Sequence, residues 1–469
     1  MHAKHFFLAL CAAVLTLPSV AQEGTWEVGS TTLTEYDLAT GIDLPWEILW
    51  GPDDHIWCST RPGKVLRIDP QTGTYTEILE KSVMGSGSGE GGMLGMCLHP
   101  NFDTDPYVYI VYCTGSAWTG SEQLSRFTWN GTELVDEEVI LDDIPAGGIH
   151  NGSRVLVLPD NTLLMTTGDV GDGDFHSQNP NTIAGKTLRL NLDGSIPADN
   201  PDPTSYVYSI GHRNAQGLCL GPNGLIYSSE HGETNPGWDE FNIITPDANY
   251  GWPEVEGPCN TSAEQEFCAE NDVTEPLKTW SPCVAVNGIE YYNHEAIPEW
   301  QNSVLMAVLG GLSGVYERLS VLHMNDDGTV IDSEDQYFSE FNQRIRDICV
   351  NPHTGAVYVA LNGPGYPGSG PNTIKEFVNE SYVSVNELEG NAPAVTVFPN
   401  PVDASGTIAF DEGFIGGKFT VMSFEGKVVD QRYVEDTQMI FDASSWAAGN
   451  YFIRVESAFG IATQTFVVR

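Results

Sequence analysis

The chain repeats one pattern of polar and apolar positions along most of its length. Each copy has a proline-centred polar turn, then a short apolar segment and a loop of small residues, as in VLPDNTLLMTTGD. Clear copies are centred on Pro52, Pro100, Pro159, Pro222 and Pro352, with a weaker one at Pro298. Proline with Asp or Asn favours a turn, and the segment after it has the length and apolar character of a β-strand.

The spacing of these copies predicts the architecture. The prolines are separated by 48, 59, 63, 76 and 54 residues. Six units of that size each hold about four short strands, which is the size of a propeller blade. A β-sandwich array would repeat at about 100 residues instead. The pattern therefore predicts an all-β fold, with a six-bladed β-propeller over residues 25–378.

The pattern changes near residue 380. A linker rich in Ser, Asn and Glu (residues 379–392) precedes alternating turns and strands (residues 393–469), which predict a small β-sandwich. Three motifs in it resemble the C-terminal sorting domain of type IX secretion cargo: Pro399-Asn400-Pro401, Gly426-Lys427-Val428-Val429 and Gly449-Asn450-Tyr451-Phe452. The resemblance implies handling by the type IX machinery and a place outside the outer membrane. A carbohydrate-binding or adhesive sandwich is the alternative.

The first 21 residues have the pattern of a signal peptide. A short basic start at His2 and Lys4 leads into an apolar run, and Ser19-Val20-Ala21 forms a small-x-small cleavage site. No stretch of the chain approaches the ~20 apolar residues that a transmembrane helix needs. We therefore expect an exported protein without a transmembrane segment, whose mature chain starts near Gln22.

Net charge and cysteine content limit which partners and which disulfides are expected. The net charge of −44 repels nucleic acid and anionic lipid, so neither is expected as a partner. Acid-rich loops could hold Ca²⁺, which prefers oxygen ligands. Cys259 and Cys268 bracket a polar loop, where a local disulfide is plausible in an exported protein. The other cysteines of the mature chain could equally be free, small, buried apolar residues. The sequence contains no Cys or His spacing typical of a zinc site.

Polar residues follow the repeated strands, and in a propeller the loops at one end of the central channel converge on one pocket. The sequences that contain them resemble the soluble glucose and aldose sugar dehydrogenases over about residues 30–376: GEGGMLGMCLHPNF, HNGSRVLVLPDNTLLMTTGD, AGKTLRLNLDGSIPADNP, GHRNAQGL, DEFNIITPDANYGWP and RIRDICVNPHTG. The resemblance implies a six-bladed propeller that holds pyrroloquinoline quinone (PQQ) and Ca²⁺. It also implies oxidation of an aldose to the lactone, with an external electron acceptor.

The resemblance assigns three catalytic residues. His150 matches the base that removes a proton from the anomeric hydroxyl, a role that suits a neutral imidazole. Asp169 matches the carboxylate that orients this imidazole. Arg213 matches the arginine near the reactive quinone carbonyl, where a cation stabilises developing negative charge.

The resemblance also assigns cofactor, metal and substrate contacts. Arg344 and Arg346 match the pair that binds the cofactor's carboxylates, which suits the planar guanidinium fork. The other matches are Asn214 and Glu90 near cofactor and substrate, the carbonyls of Gly232 and Glu233 as Ca²⁺ ligands, Asp239 and Glu240 at a second Ca²⁺, and Trp280 as an aromatic at the pocket mouth.

One position departs from the family pattern. Many relatives have a lysine after the fifth-blade strand that reaches the acid groups of the quinone, whereas Gly310 or Gly311 stands there in this chain. Two alternatives therefore stay open. One is a non-catalytic propeller of the same family that binds a glycan or a protein, and the other is a Ca²⁺-dependent lactonase. Three arginines around one pocket favour the quinone enzyme, because a neutral lactone does not need them.

Overall fold

The computed structural model describes residues 22–84, 89–116, 120–233, 237–311, 316–382, 395–423, 427–457 and 460–469. The predicted signal peptide and most of the predicted linker lie outside these ranges. The chain divides into two compact units, Met1–Val383 and Ser384–Arg469. Among the described residues, no helix has both the length and the apolar character needed to cross a membrane.

The larger unit is built from six antiparallel sheets within its described residues. The chain begins with strands β1 (Gln22–Val28) and β2 (Thr31–Ile42). Sheet I contains β3 (Pro45–Trp50), β4 (Ile56–Thr60), β5 (Lys64–Ile68) and β6 (Tyr75–Glu80). Sheet II contains β7 (Met93–Leu98), β8 (Tyr107–Thr114), β9 (Gly120–Trp129) and β10 (Leu134–Ala146). Sheet III contains β11 (Gly152–Val157), β12 (Thr162–Thr167), β13 (Lys186–Asn191) and β14 (Val207–Ile210).

The remaining three sheets repeat this order. Sheet IV contains β15 (Ala215–Leu220), β16 (Ile226–Glu230), β17 (Asp239–Ile243) and β18 (Lys278–Trp280). Sheet V contains β19 (Val286–Tyr292), β20 (Ser303–Val308), β21 (Arg318–Met324) and β22 (Ile331–Tyr337). Sheet VI contains β23 (Ile345–Val350), β24 (Val357–Leu361) and β25 (Asn372–Val378), to which β2 and β1 add from the other end of the unit.

The sequence pattern explains how these sheets pack. The second strands β4, β12, β20 and β24 are buried at every position, as their continuous apolar and small residues require. The fourth strands β6 and β22 are largely exposed. The first strands β3, β7, β11, β15, β19 and β23 contact one another in a closed ring. A hydrophobic cluster fills each space between neighbouring sheets around this ring, which confirms the all-β, propeller-like prediction.

Two short α-helices lie in the connections that the structure describes. Helix α1 (Gly173–His176) follows β12, and helix α2 (Ser262–Asn271) lies between β17 and β18. Helix α2 buries none of its residues and is held by its ends: Thr261 and Glu264 form a capping box, and a disulfide joins Cys259 to Cys268. Single 3-10 turns occur at Pro222–Gly224, Pro298–Trp300, Ser339–Phe341 and Glu412–Phe414.

The smaller unit has two sheets and one core. One sheet contains β26 (Val395–Phe398), β27 (Ser405–Phe410) and β30 (Gln438–Asp442). The other contains β28 (Lys418–Ser423), β29 (Val428–Tyr433), β31 (Gly449–Ser457) and β32 (Gly460–Val468). Residues of both sheets, among them Ile408, Phe419 and Ile453, pack in one hydrophobic cluster.

This separate core yields a stability prediction. Ile453 is fully buried in the cluster of the smaller unit, whereas Ile440 is 73% exposed. Ile453→Ala should cost about 2–5 kcal/mol, because it removes buried methyl groups and leaves a cavity, while Ile440→Ala should cost under about 0.5 kcal/mol. Calorimetry of the full chain should show only the transition of residues 395–469 shifted by Ile453→Ala. Equal shifts for the two variants would contradict this description of the core.

Candidate active site

A cavity of about 410 Å³ lies where the loops of all six sheets meet. Eight of the residues singled out from the sequence line it: Glu90, His150, Arg213, Asn214, Gly232, Asp239, Arg344 and Arg346. Gly310 and Gly311, the position that departs from the family pattern, also line it. The rest of the wall consists of residues that were not among the predicted site residues: Trp46, Arg61, Gln216, His231, Pro282, Cys283, Ala285, Leu309, Tyr316, Tyr366 and Pro367.

Strand topology explains why these loops meet. The start of a first strand and the end of a second strand lie at the same edge of an antiparallel sheet. His150 stands just before β11 and Asp169 just after β12, and Val155 in β11 pairs with Met165 in β12. In the same way Arg213 precedes β15 and Arg344 precedes β23. The repeated fold therefore places one set of loops around a common space.

His150 and Asp169 form a close pair. His150 Nδ1–H donates to Asp169 Oδ1 over 2.7 Å, and Asp169 Oδ2 accepts from Trp252 Nε1 over 2.9 Å. The Gly171 amide also donates to Asp169 Oδ1, over 2.8 Å. Burial raises the pKa of Asp169, but the hydrogen bonds and the imidazole beside it outweigh burial and hold that pKa below its usual value. An ionised Asp169 fixes the proton of His150 on Nδ1 and leaves Nε2 as the acceptor.

The backbone at His150 is held in a conformation that few residues adopt. Its φ is 55°, in the left-handed region. The His150 amide donates to Glu90 Oε2 over 2.9 Å, and the His150 carbonyl accepts from the Val170 amide over 3.1 Å. Gly168 must lack a side chain, because a Cβ there would stand 1.8 Å from the His150 carbonyl oxygen. These contacts offset the strain and aim the imidazole at the cavity.

Glu90 lines the cavity and contacts two of its loops. One carboxylate oxygen accepts from the His150 amide, and the other accepts from the Tyr366 hydroxyl over 3.2 Å. Glu90 therefore links the loop that carries His150 to the loop after β24. Its main structural effect is to position His150.

Four guanidinium groups line the cavity: Arg61, Arg213, Arg344 and Arg346. Each has a buried Nε that lacks a hydrogen-bond partner among the described residues. None of these four arginines forms an ion pair within 4.0 Å among the described residues. Burial, together with repulsion from Arg344 and Arg61, lowers the pKa of Arg346 well below its usual value.

Neutral partners hold these groups in place. Arg346 Nη1 donates to Gln216 Oε1 over 3.1 Å and to Asn287 Oδ1 over 3.3 Å. Arg213 Nη1 donates to the His231 carbonyl over 3.1 Å, and its guanidinium lies over the ring of Trp252. Because these partners carry no charge, none of these contacts neutralises a cavity guanidinium, although Glu90 and Glu317 lie close enough to stabilise part of the positive charge.

The same positive charge acts on His231. Burial first, and then repulsion from Arg346 and Arg213, lowers the pKa of His231 well below its usual value. Its Nε2 lies 3.2 Å from Asn287 Nδ2 and its amide donates to the Asn214 carbonyl over 3.1 Å. His231 is therefore a neutral imidazole in the cavity wall.

Asn214 lies among buried polar groups at the start of β15. Its Oδ1 accepts from the Gly152 amide over 3.1 Å, and its own amide donates to Glu230 Oε1 over 3.2 Å. Glu230 also accepts from the Arg213 amide and from His212 Nδ1. This network fixes the backbone of Arg213 and Asn214 at the cavity.

The structure changes the description of the metal residues. Asp239 Oδ1 accepts from the Gly232 amide over 3.0 Å, and Asp239 Oδ2 accepts from the amides of Val284 and Ala285 over 2.6 Å each. Its carboxylate therefore joins two loops. Burial raises the pKa of Asp239 above its usual value despite these bonds.

Glu233 and Glu240 are engaged elsewhere. The Glu233 carbonyl, which borders a second cavity of about 590 Å³ beside His150, accepts from Cys283 Sγ over 2.8 Å. Glu240 accepts from the Gly257 amide over 2.7 Å and from Asn242 Nδ2 over 3.0 Å, and burial raises its pKa to about 8. Within the described ranges, no group of three or more His, Cys, Asp or Glu side chains is placed to hold a metal ion.

Trp280, which the resemblance places at the pocket mouth, does not line the cavity in the structure. Trp280 is buried in the cluster between sheets IV and V, and its Nε1 donates to Glu334 Oε2 over 3.0 Å. The exposed aromatic residues in the cavity wall are Tyr316 and Tyr366, each 48% exposed. The resemblance identifies Trp280 by its place along the chain, which does not reveal which face of β18 meets the neighbouring sheet.

Sequence matches define the class of protein. The family model described as Glucose / Sorbosone dehydrogenase matches residues 42–366, and the model of the secretion system C-terminal sorting domain matches residues 396–469. The chain belongs to the glucose/sorbosone dehydrogenase family and carries a type IX sorting domain. The sorting domain indicates type IX secretion to the cell surface or beyond.

Individual relatives agree with this family. An uncharacterized protein of Synechocystis sp. is 35% identical over 347 residues, which cover 68% of this chain and 81% of the relative. Quinoprotein glucose dehydrogenase B of Acinetobacter calcoaceticus is 29% identical, with 72% and 88% covered. The PQQ-bound aldose sugar dehydrogenase of Streptomyces coelicolor is 31% identical, with 77% and 99% covered and a TM-score of 0.62. These relationships support an oxidoreductase that acts on sugars.

The buried Asp169 carboxylate predicts a pH-dependent stability difference. Because its pKa is depressed in the folded state, its ionised form stabilises the fold above the usual carboxyl pKa of about 4, and this contribution is lost as pH falls through the lower folded value. Asp169→Asn should therefore lower the free energy of unfolding at about pH 7, and the difference should shrink below about pH 4. Urea unfolding across this pH range measures it. Asp174→Asn, a change of the same kind in helix α1, is the matched control and should show little difference at either pH.

Proposed function

We propose that this protein is a secreted, PQQ- and Ca²⁺-dependent dehydrogenase that oxidises the anomeric hydroxyl of an aldose to the lactone. The observation that carries the proposal is one cavity in which the His150–Asp169 pair stands beside four guanidinium groups that lack carboxylate partners. A base and a polyanion site in the same cavity suit sugar oxidation by an acidic quinone. We also propose an external electron acceptor, a molecule other than the sugar and PQQ that reoxidises the reduced cofactor.

The proton chemistry follows from the pair. With Nδ1–H donated to Asp169, His150 Nε2 is free to accept the proton of the anomeric hydroxyl. Asp169, ionised in the folded protein, then stabilises the imidazolium that forms. Glu90 holds the His150 backbone, so the base does not have to be oriented when substrate arrives.

The residues present fit the quinone. PQQ carries three carboxyl groups, and Arg344 and Arg346 offer unpaired N–H donors where the resemblance expects them. Arg213 lies nearer the His150 side, since it borders both cavities that His150 borders. When bound, the quinone would supply the hydride acceptor. Arg213 would stabilise negative charge that develops there, and Asn214 would complete the wall beside it.

For Ca²⁺, backbone carbonyls are the proposed ligands. Gly232 lines the main cavity, and the adjacent Glu233 carbonyl has a second lone pair besides the one that accepts from Cys283. Asp239 would act by fixing the Gly232 loop. A second Ca²⁺ at Asp239 and Glu240 receives no support from their hydrogen bonds, which are made to protein amides.

We further propose the finer architecture that the sequence predicts. The closed ring of first strands supports reading the six sheets as six propeller blades, and the shared core of the two C-terminal sheets supports a β-sandwich. The proposed mature protein begins after a signal peptide over residues 1–21 and is addressed by residues 393–469 to the type IX machinery.

One observation favours a second candidate, a non-catalytic propeller of the same family. Gly310 and Gly311 line the cavity where relatives have a lysine, so one expected cation is missing. The intact His150–Asp169 pair argues against this candidate, because a binding protein has no need for an oriented base. Binding of PQQ separates the two functions.

The proposed base makes a kinetic prediction. His150→Ala should abolish reduction of the bound quinone by aldose, by at least about 1000-fold, while PQQ stays bound, because the base acts mainly in the transition state. Asp169→Asn should slow the reaction less, and the double variant should be scarcely slower than His150→Ala alone. A single-turnover absorbance experiment measures this without the external acceptor. If His150→Ala reduces its quinone at the wild-type rate, the proposed mechanism is wrong.

The sorting domain makes a prediction about export. A chain that lacks residues 391–469 should keep a folded larger unit, because its hydrophobic clusters contain none of those residues, and it should accumulate in the periplasm. Cell fractionation with an antibody to the larger unit measures the distribution. Surface exposure of the truncated chain would contradict the role of the sorting domain.

A further inference from the structure

The cavity contains one cation that the family resemblance does not assign. Arg61 directly follows β4 and is 2% exposed. Its Nη1 donates to the Pro367 carbonyl over 2.8 Å, and its Nη2 donates to the Gly89 carbonyl over 2.9 Å. Its Nε is buried without a partner among the described residues. Arg61 is thus held in the wall by two loops while part of its donor set is unused.

Arg61 stands close enough to Arg344 and Arg346 for their charges to repel. Burial lowers the pKa of each of the three, and Arg61 adds to this effect at both Arg344 and Arg346. Glu90 stabilises the charge of Arg61, but its oxygens accept hydrogen bonds from His150 and Tyr366, and it forms no ion pair with Arg61 within 4.0 Å. Glu317 also stabilises the charge of Arg344, but none of the three arginines has an ion pair within 4.0 Å among the described residues. Buried charges without a direct partner are costly, so three such groups in one wall indicate an anion with several acid groups.

We propose that Arg61 binds the acid groups of the cofactor directly, together with Arg344 and Arg346, in place of the lysine that relatives have at Gly310 or Gly311. The identity of the anion rests on the proposed function. The presence of a three-arginine anion site rests on the contacts of the described residues alone. Arg61 then supplies the positive charge that the lysine supplies in relatives, and the cavity keeps its affinity for the cofactor.

The first test is the affinity of apo protein for PQQ at fixed Ca²⁺. Arg61→Gln should weaken binding about 10- to 100-fold, which is the loss expected for one charge-assisted hydrogen-bonding group. Affinity for the trimethyl ester of PQQ, which lacks the negative charges, should stay the same. The matched control is Arg189→Gln, since Arg189 is also buried but pairs with Asp160 and Asp199. That variant should lower thermal stability without changing PQQ affinity.

A rescue experiment separates binding from a structural role. Gly311 is the position of choice for a lysine: a Cβ there would lie 3.3 Å from the Cys283 carbonyl oxygen, whereas Gly310 has a φ of 74° and its Cβ would approach Glu317 Cγ to 2.7 Å. The double variant Arg61→Gln/Gly311→Lys should bind PQQ at least about tenfold more tightly than Arg61→Gln alone, because the lysine supplies a cation from another sheet. If Arg61 only ties two loops together, a lysine at position 311 cannot restore binding.

Gly311→Lys alone tests the same point without disturbing Arg61. If Arg61 already pairs with the acid groups, the added lysine should improve wild-type affinity by less than about threefold. A gain of tenfold or more would mean that the acid groups are unpaired in the wild type and would overturn the proposal. Equal PQQ affinity of wild type and Arg61→Gln would overturn it as well.

Citrate, a tricarboxylate that is not a quinone, distinguishes the two proposals. Suppose that citrate raises the melting temperature of the wild type but not of Arg61→Gln, and that PQQ does not bind. This result would support the anion site and contradict the quinone function. If PQQ binds wild type and Arg61→Gln alike, the quinone function stands and the role of Arg61 falls. If neither anion binds the wild type, both proposals fall.

Discussion

Four guanidinium groups, those of Arg61, Arg344 and Arg346 buried and that of Arg213 partly buried, face one cavity in a chain whose net charge is −44. None of them has a carboxylate partner within 4.0 Å among the described residues, so their charge is directed at the cavity itself. A low-dielectric wall concentrates such a field on any anion inside. The acidic remainder of the protein keeps anions away from its outer surface, which makes this cavity a selective place for one.

The polar groups around the cavity are arranged to preserve that charge. Arg346 is held by the neutral amides of Gln216 and Asn287, and Arg61 by two carbonyls. Carboxylates near the cavity are satisfied by other donors: Glu90 by the His150 amide, Asp169 by His150 and Trp252, and Asp239 by three backbone amides. Each of these carboxylates therefore positions a loop or the base, and none forms an ion pair within 4.0 Å with a cavity arginine among the described residues.

Part of the site was predictable because it follows the repeat. Each copy of the turn-and-strand pattern puts a polar loop at the same edge of a sheet, so His150, Asp169, Arg213 and Arg346 could be expected in one place. Arg61 follows the same kind of strand but stands in the turn sequence Arg-Pro-Gly, which reads as an ordinary exposed turn. The positions of the Trp280 side chain and the Asp239 carboxylate depend on contacts between neighbouring strands and loops. Local sequence patterns do not reveal these contacts.

The proposed function depends most directly on whether the cavity takes up a quinone polyanion. An absorbance titration of the full chain with PQQ in the presence of Ca²⁺, followed by addition of an aldose, tests this in one cuvette. We expect saturation at one PQQ per chain and loss of the oxidised quinone spectrum when the sugar is added. A spectrum that stays that of free PQQ throughout the titration would contradict it.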